Sequence, residues 1–465
     1  MTDSAEAERT SAHLMINRWR LLGLLAVAQF MLILDVTVVA IALPQMATDL
    51  SLSRVALTWV VSAYTITFGG LLLLGGRCAD LFGSRTVVLA GLAIFTAASL
   101  VTGLATGPAM LIGGRVAQGL GAALLSPAAL SVVVKTFDDE ERNRALGIWS
   151  ALGGAGAAAG VLLGGLLTAG PGWQWVFYVN VPIGLLVLVA LTRMLPRDLT
   201  SVGGRLDVPG ALLVTAGTAA AVYAIIAAGD LGLFALGAVI PLAAAVVLYV
   251  GFVWQQRAAS PAMMDLGILA RRSVATGTFL IFVATALMIS VFFLGTFYLQ
   301  HFRHFNPLVT GLLFLPVAAG AIIGAQLAGR HIGRVGPRVV AVAGLAATAV
   351  GLGIPALADG TSALVVGIAV AALGIGAVFV AASTTALSQV GHREAGLASG
   401  ILSTFHEFGA AFGVAVTSSL AVTSITGTST AGFDRGFSVA AVAAVIAGLV
   451  VFAVVPAARP AGGSS

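Results

Sequence analysis

Charge is what this chain has least of. Asp, Glu, Lys and Arg together make up 9% of its 465 residues, against 59% hydrophobic residues. Soluble domains carry roughly 25% charged residues, so a water-facing globular domain is excluded. The mean hydropathy of +1.06 agrees with an integral membrane protein. Cysteine is also nearly absent: the single Cys78 excludes an intramolecular disulfide and any cysteine-based metal site. There is no G-x-x-x-x-G-K-[ST] phosphate loop, so coupling to ATP would need another subunit. A soluble domain, a histidine cluster and a nucleophile with its base are all missing, which argues against an enzyme. Residues 1–17 are polar and contain Asp3, Glu6 and Glu8, unlike the basic start of a cleavable leader.

What is present is a succession of apolar runs. A membrane span needs about 20 apolar residues, and the chain divides into fourteen such stretches between residues 21 and 456. A pI of about 10.0 would ordinarily invite a nucleic-acid partner, but the basic residues sort by side of the membrane. With the N-terminus inside, every Lys and Arg except Arg54, Arg115, Arg303 and Arg435 falls in a cytoplasmic segment. That bias is the positive-inside rule, and it predicts an even number of spans with both termini cytoplasmic in the cytoplasmic membrane. The 58 glycines fit close helix packing. Lipid is an expected partner, nucleic acid is not, and a monomer is expected. Asp138, Asp139, Glu140 and Glu141 read as a solvated loop and helix start rather than a metal site.

Two ionisable residues stand inside apolar runs. Asp35 lies in LLGLLAVAQFMLILDVTVVAIAL and Arg115 in AMLIGGRVAQGLGAALLSPAALSVVV. A charge at the bilayer centre costs at least about 3 kcal/mol, so one that persists faces a partner or a water-filled cavity. At a rise of 1.5 Å per residue, Asp35 is about 12 Å from the outer end of span one and Arg115 about 9 Å from that of span four. The two can therefore meet. Burial disfavours the charged carboxylate and an arginine favours it, so a site balanced between them can switch protonation as the cavity opens to either side. A static ion pair locking two helices is the bland alternative. Glu407, in STFHEFGAAFGVAV, is a third buried acid, about 15 Å into span thirteen and near the midplane. It and His406 are candidate cavity residues, although adjacent helical positions point about 100° apart; a bond from Glu407 to a neighbouring helix is the alternative. Gln118 and Tyr64 are candidates either for the cavity or for bonds between helices.

The chain also repeats. GRCADLFGSR at 76–85 returns as GRHIGRVGPR at 329–338, so that Gly76, Arg77, Gly83 and Arg85 correspond to Gly329, Arg330, Gly336 and Arg338. Each copy follows the second helix of a six-helix half if spans seven and eight are an insertion. Two parallel six-helix repeats around a central site describe a large transporter class. The implied division is a cytoplasmic tail (1–20), an N-terminal six-helix bundle (21–195), a linker with two extra spans (196–273), a C-terminal six-helix bundle (274–456) and a second tail (457–465).

GRCADLFGSR resembles the signature loop of the major facilitator superfamily. LDVTVVAIALP (34–44), RVAQGLGAAL (115–124) and WQWVFYVNVPIG (173–184) resemble motifs of its fourteen-span drug:proton antiporters, in order along the chain. The fifth-span motif departs from that pattern: GVLLGG carries Val161 where a proline is usual. The resemblance implies an all-α major facilitator fold of two six-helix bundles plus two additional spans. It implies export of amphiphilic drugs or antibiotics by alternating access, with no cofactor and with protons as the coupling ion. Under it Asp35 and Arg115 handle protons. Gly76, Asp80, Gly83 and Arg85, with Gly329, Arg330, Gly336 and Arg338, latch the halves, and Gly153, Gly156, Gly160, Gly164 and Gly165 form a packing face. A dedicated exporter of one native metabolite fits the same residues; a major-facilitator importer of a small solute fits the fold but not the first-span motif.

Overall fold

In hydrocarbon no water pairs with an exposed N–H or C=O, so a spanning chain closes its backbone hydrogen bonds within helices. The computed structural model describes residues 2–195, 205–259, 262–391, 394–425 and 430–454, and among them there are helices and no strands. The first five long helices are α1 (Thr2–Asp49), α2 (Arg54–Phe82), α3 (Ser84–Gly103), α4 (Pro108–Thr136) and α5 (Asp139–Ala169). Then come α6 (Trp175–Met194), α7 (Val208–Leu231), α8 (Leu236–Ala258), α9 (Arg272–Phe302) and α10 (Pro307–Val335). The last four are α11 (Pro337–Leu357), α12 (Thr361–Leu387), α13 (Ala395–Leu420) and α14 (Ala431–Val454).

Thirteen of the fourteen are apolar enough to be recognised as spans by composition. The exception is α13, which carries His406, Glu407 and several Ser and Thr; its neighbours, rather than lipid, supply its surroundings. The polar segment at 1–20, expected as a tail, is helical and continuous with α1: once a helix is nucleated, each added residue contributes a further bond. Residues 196–204 and 260–261 of the expected linker, the C-terminal tail, Arg197, Arg393 and Arg459 lie outside the described residues.

The helices pack twice in the same pattern. In the first half α2 and α3 lie against α4, α1 against α5, and α3 against α6. In the second half α10 and α11 lie against α12, α9 against α13, and α11 against α14. The repeat seen in the short loops therefore governs whole bundles. Gly83 and Gly336, at equivalent positions, both take the left-handed region (φ +88° and +82°) that lets one helix turn at once into the next. The same spacing joins two ion pairs: Arg18 to Glu141 at 2.9 Å and Arg271 to Glu394 at 2.6 Å, each tying the first helix of its half to the fifth. Along those seams Gly156 and Gly160 of α5 meet Ile33 and Thr37, while Gly409 and Gly413 of α13 meet Phe282 and Ala286.

The halves meet at the end away from the arginine-rich loops. There Gly165 of α5 packs on Pro307 and Leu308, Gly311 approaches the Val161 carbonyl, and Gln300 donates to the Ile41 carbonyl at 2.9 Å. Helices α7 and α8 pack on each other, and α7 covers the seam between α2 and α13. Arg54 joins these three: it pairs with Asp230 of α7 and donates to the Ile226 carbonyl (3.1 Å) and to Ser418 of α13 (3.4 Å).

Candidate functional site

The register of α1 and α4 turns Asp35 and Arg115 toward each other, and both are 1% exposed. The Arg115 guanidinium pairs directly with Oδ2 of Asp35. Its Nε donates to the Val60 carbonyl at 2.9 Å, and it also reaches Oε1 of Gln118, one turn further along α4, at 3.1 Å. Nε2 of Gln118 completes the ring by donating to Oδ1 of Asp35 (3.0 Å) and to Ser99 of α3 (2.9 Å). Tyr64 offers its ring face to Arg115, 4.3 Å from Cζ to centroid, and its hydroxyl donates to the Leu32 carbonyl at 3.4 Å. Every polar group of the cluster is thus answered by protein. A buried charge pair is tolerated only with such hydrogen bonding, and the four helices α1 to α4 together supply it.

Beside this sealed cluster lies an 890 Å³ cavity between the halves, within the size range of small-molecule sites. It is walled by α1, α2, α4 and α5 on one side and by α9, α10, α12 and α13 on the other, equivalent helices of the two bundles. The lining extends to Ser150, Leu387 and Ser399, near the arginine-rich ends of α5, α12 and α13. Most of it is apolar, with Phe68, Met288, Phe292 and Phe379 among the large side chains. Glu407 and His406 both line it. Glu407 is 9% exposed, its Cβ lies against Gly69 of α2, and its carboxylate has no hydrogen-bond partner among the described residues. His406 faces the C-terminal wall: Nδ1 is 2.9 Å from the Thr285 hydroxyl and its ring centroid 5.7 Å from that of Phe379.

Several sequence expectations need correction. Tyr64 and Gln118 do not line the cavity; both are fully buried around Arg115, and are bonds between helices rather than cavity residues. Gly153 is not part of a packing face, since a Cβ there would meet nothing within 4 Å and the residue borders the cavity. Gly156, Gly160 and Gly164 do pack, against Ile33, Thr37 and Val38 of α1, and Gly165 packs against α10. Of the loop residues expected to latch the halves when the inner end closes, Gly76, Asp80, Arg85 and Arg338 make close contacts within their own bundles in this conformation. Asp80 is 3.8 Å from Arg77, Arg85 donates to the Thr192 carbonyl at 2.8 Å, and Arg338 stacks 4.2 Å over Phe452. Gly76 packs against Pro127, and a Cβ on Gly329 would meet nothing within 4 Å; Arg330 is exposed. The physical reason is that the halves stand apart at that end.

Sequence reasoning missed Ser99, Thr285 and the Arg54 junction. The two equivalent ion pairs were within reach, because Arg18 and Glu141 recur as Arg271 and Glu394 at the spacing of the loop repeat. By that spacing His406 and Glu407 take the places held in the first half by Gly153 and Gly154. The acid and the imidazole thus belong to the C-terminal half alone, where the first half carries glycine.

The Major Facilitator Superfamily model matches residues 25–330 and 274–465. The puromycin resistance protein pur8 of Streptomyces alboniger is 38% identical over 416 residues, covering 86% of this chain and 81% of that protein. The cephamycin export protein CmcT of Amycolatopsis lactamdurans is 37% identical over 420 residues, covering 88% and 85%. A bacterial homologue of the human lysosomal transporter Spinster, in an inward-facing and occupied conformation, superposes with a TM-score of 0.71 at 16% identity, covering 94% and 96% of the two chains.

Proposed function

This chain belongs to the major facilitator superfamily, and from that premise we propose that it is driven by protons entering the cell as it exports amphiphilic compounds. It is a multi-pass membrane transporter of the drug and antibiotic efflux type, not an enzyme. We assign the arginine-rich end to the cytoplasm, on the positive-inside rule, with both termini on that side of the cytoplasmic membrane. The cavity then opens inward in this structure and is closed outward by the α5–α10 contact. A monomer in lipid suffices for that cycle.

The observation that carries the proton assignment is the Asp35–Arg115–Gln118 cluster, a fully hydrogen-bonded charge pair buried beside a large cavity. Its carboxylate is stabilised by a guanidinium that cannot itself lose a proton. When the halves rock and Asp35 shifts away from Arg115, the balance tips and Asp35 takes a proton; restoring the contact expels it. Glu407 has the complementary role. A carboxylate without a protein partner, on the wall of an apolar cavity, attracts a lipophilic cation far more than it would in bulk water. The repeated loops, held here by their own bundles, latch the halves when the inner end closes.

Growth of a pump-deleted, drug-sensitive host on a panel of toxic amphiphiles tests the reading. Expression of this chain should raise the inhibitory concentration of at least one compound class, and Asp35→Asn should remove the gain. Unchanged sensitivity across cationic and neutral amphiphiles, with the protein present in the membrane, would overturn it. A single protected compound would favour a dedicated exporter.

A further inference from the structure

The seal around Asp35 is thin in one place. Between the cavity and the Arg115 guanidinium stand two rings of α2, one helical turn apart. Phe68 lines the cavity and is 7% exposed, whereas Tyr64 is fully buried. Their centroids are 5.8 Å apart with the rings inclined at 57°, and Tyr64 in turn lies 4.3 Å from Cζ of Arg115. The two rings differ in how they are held. Tyr64 is anchored by its hydroxyl on the Leu32 carbonyl, and Phe68 has only apolar contacts. The neighbouring Gly69 packs on Cβ of Glu407 and on Phe408, so α13 stands beside this stretch of α2. The titratable groups around this wall are therefore Asp35, Arg115 and Tyr64 behind it and Glu407 and His406 in front.

A buried ion pair exchanges no protons unless a hydrogen-bonded path reaches it, and an apolar ring interrupts such a path because it offers neither donor nor acceptor. Water enters a protein space only where the space is roomy and has polar partners. Room exists in the adjoining 890 Å³ cavity, and polar partners exist in the Asp35 cluster; on the α2 side the rings keep them apart, and on the α1 side Leu32 and Val36 do.

We propose that Phe68 is a movable partition between the substrate cavity and the proton site: seated on Tyr64 it keeps cavity water from Asp35, and substrate bound against it displaces it. The inference rests on the proton-coupled reading above. With the partition displaced by substrate in the inward-open cavity, the proton that Asp35 took up on the outer side passes to cavity water as the carboxylate closes on Arg115, which keeps its own proton; the ring then reseats. Phe68 touches neither proton nor carboxylate, so it acts as a positioning residue.

Purified protein in liposomes loaded with a pH-sensitive dye, given a pH gradient and no substrate, provides the test. Phe68→Ala should leak protons about tenfold faster than the wild type, the change expected when one barrier falls by about 1.4 kcal/mol. The leak should disappear in Phe68→Ala/Asp35→Asn, and Phe68→Leu, which keeps an apolar plug, should stay tight. A residue that only filled space would lower the melting temperature without creating an Asp35-dependent leak. A tight Phe68→Ala, or a leak that Asp35→Asn does not remove, overturns the partition. If Phe68→Ala does not survive purification, Phe68→Val is read against the same two outcomes. Wild-type proton uptake during export of a compound from the growth panel separates the two failures. If that uptake is present and Phe68→Ala is tight, only the partition falls; if it is absent, the coupling reading falls and the partition with it.

Discussion

Asp35 and Arg115 hold each other in a place where either alone would be expensive. Asp35→Asn keeps the size of the side chain, and Arg115 still has the Val60 carbonyl and Gln118 as acceptors while Gln118 still has Ser99, so it should fold and reach the membrane while export driven by a pH gradient is lost. Arg115→Ala leaves a carboxylate buried without its cation, which costs about 3–5 kcal/mol; it should also reduce the melting temperature and the yield of folded protein, read by size-exclusion after heating. Glu407→Gln keeps the cavity shape and removes its charge, so resistance to cationic compounds should fall while neutral ones, held by Phe68, Met288 and Phe292, lose little. Equal loss on both classes would move Glu407 into coupling or structure. The charged pair was legible because a charge in an apolar run stands out against its neighbours. The places of Gln118 and Tyr64 were not, since hydropathy gives depth along a helix but not which way a side chain turns when four helices compete for it. His406 and Glu407 both reach the cavity because α13 lies at the interface and presents one side chain toward each half.

The seams α1–α5 and α9–α13 follow one plan with different tolerances. A Cβ on Gly413 would stand 2.5 Å from the Ala286 carbonyl oxygen, a backbone atom that yields only if the helices part. On Gly164 the nearest atoms are Val38 Cα and O at 3.1 Å, which need give by only a few tenths of an ångström. Gly413→Ala should therefore destabilise by about 1–3 kcal/mol and Gly164→Ala by distinctly less, as measured by thermal melting in detergent. Where α7 begins, Asp207 accepts from Gln255, Gln256 and the backbone N–H groups of Gly210 and Met263. Burial pushes its carboxyl up, but those hydrogen bonds outweigh it and hold the group below the usual carboxylate range. Its charged form therefore stabilises the fold at neutral pH, and that contribution is lost as pH falls through its lowered folded-state value. Asp207→Ala should lower the melting temperature by the equivalent of about 1–3 kcal/mol at pH 7, with a smaller difference in strong acid; a pH-independent difference would contradict it. Fourteen helices were readable from apolar length and the arginine bias. The polar α13 was found among them because its apolar residues still run for a full span, although its composition alone falls short of a typical span.

The two bundles together form a clamp that stands open at its arginine-rich end and is held at the other. Opening the second side must separate Gly165 from Pro307, Gly311 from Val161, and Arg54 of α2 from Ser418 of α13. The repeat made the two-bundle plan readable before any coordinates, and the short loops carried it. The state of the clamp was not readable, because the same residues serve both states and only their contacts change. In the proposed cycle, cluster, cavity and clamp are united by the exchange of a proton on Asp35 for movement of substrate. The most direct test is paired measurement of substrate and proton flux in proteoliposomes under an imposed pH gradient, for the wild type and Asp35→Asn. Substrate added to the wild type should release the gradient as it accumulates, and Asp35→Asn should bind substrate yet move neither substrate nor protons uphill. Undiminished gradient-driven transport by Asp35→Asn, or wild-type transport indifferent to the gradient, would contradict it.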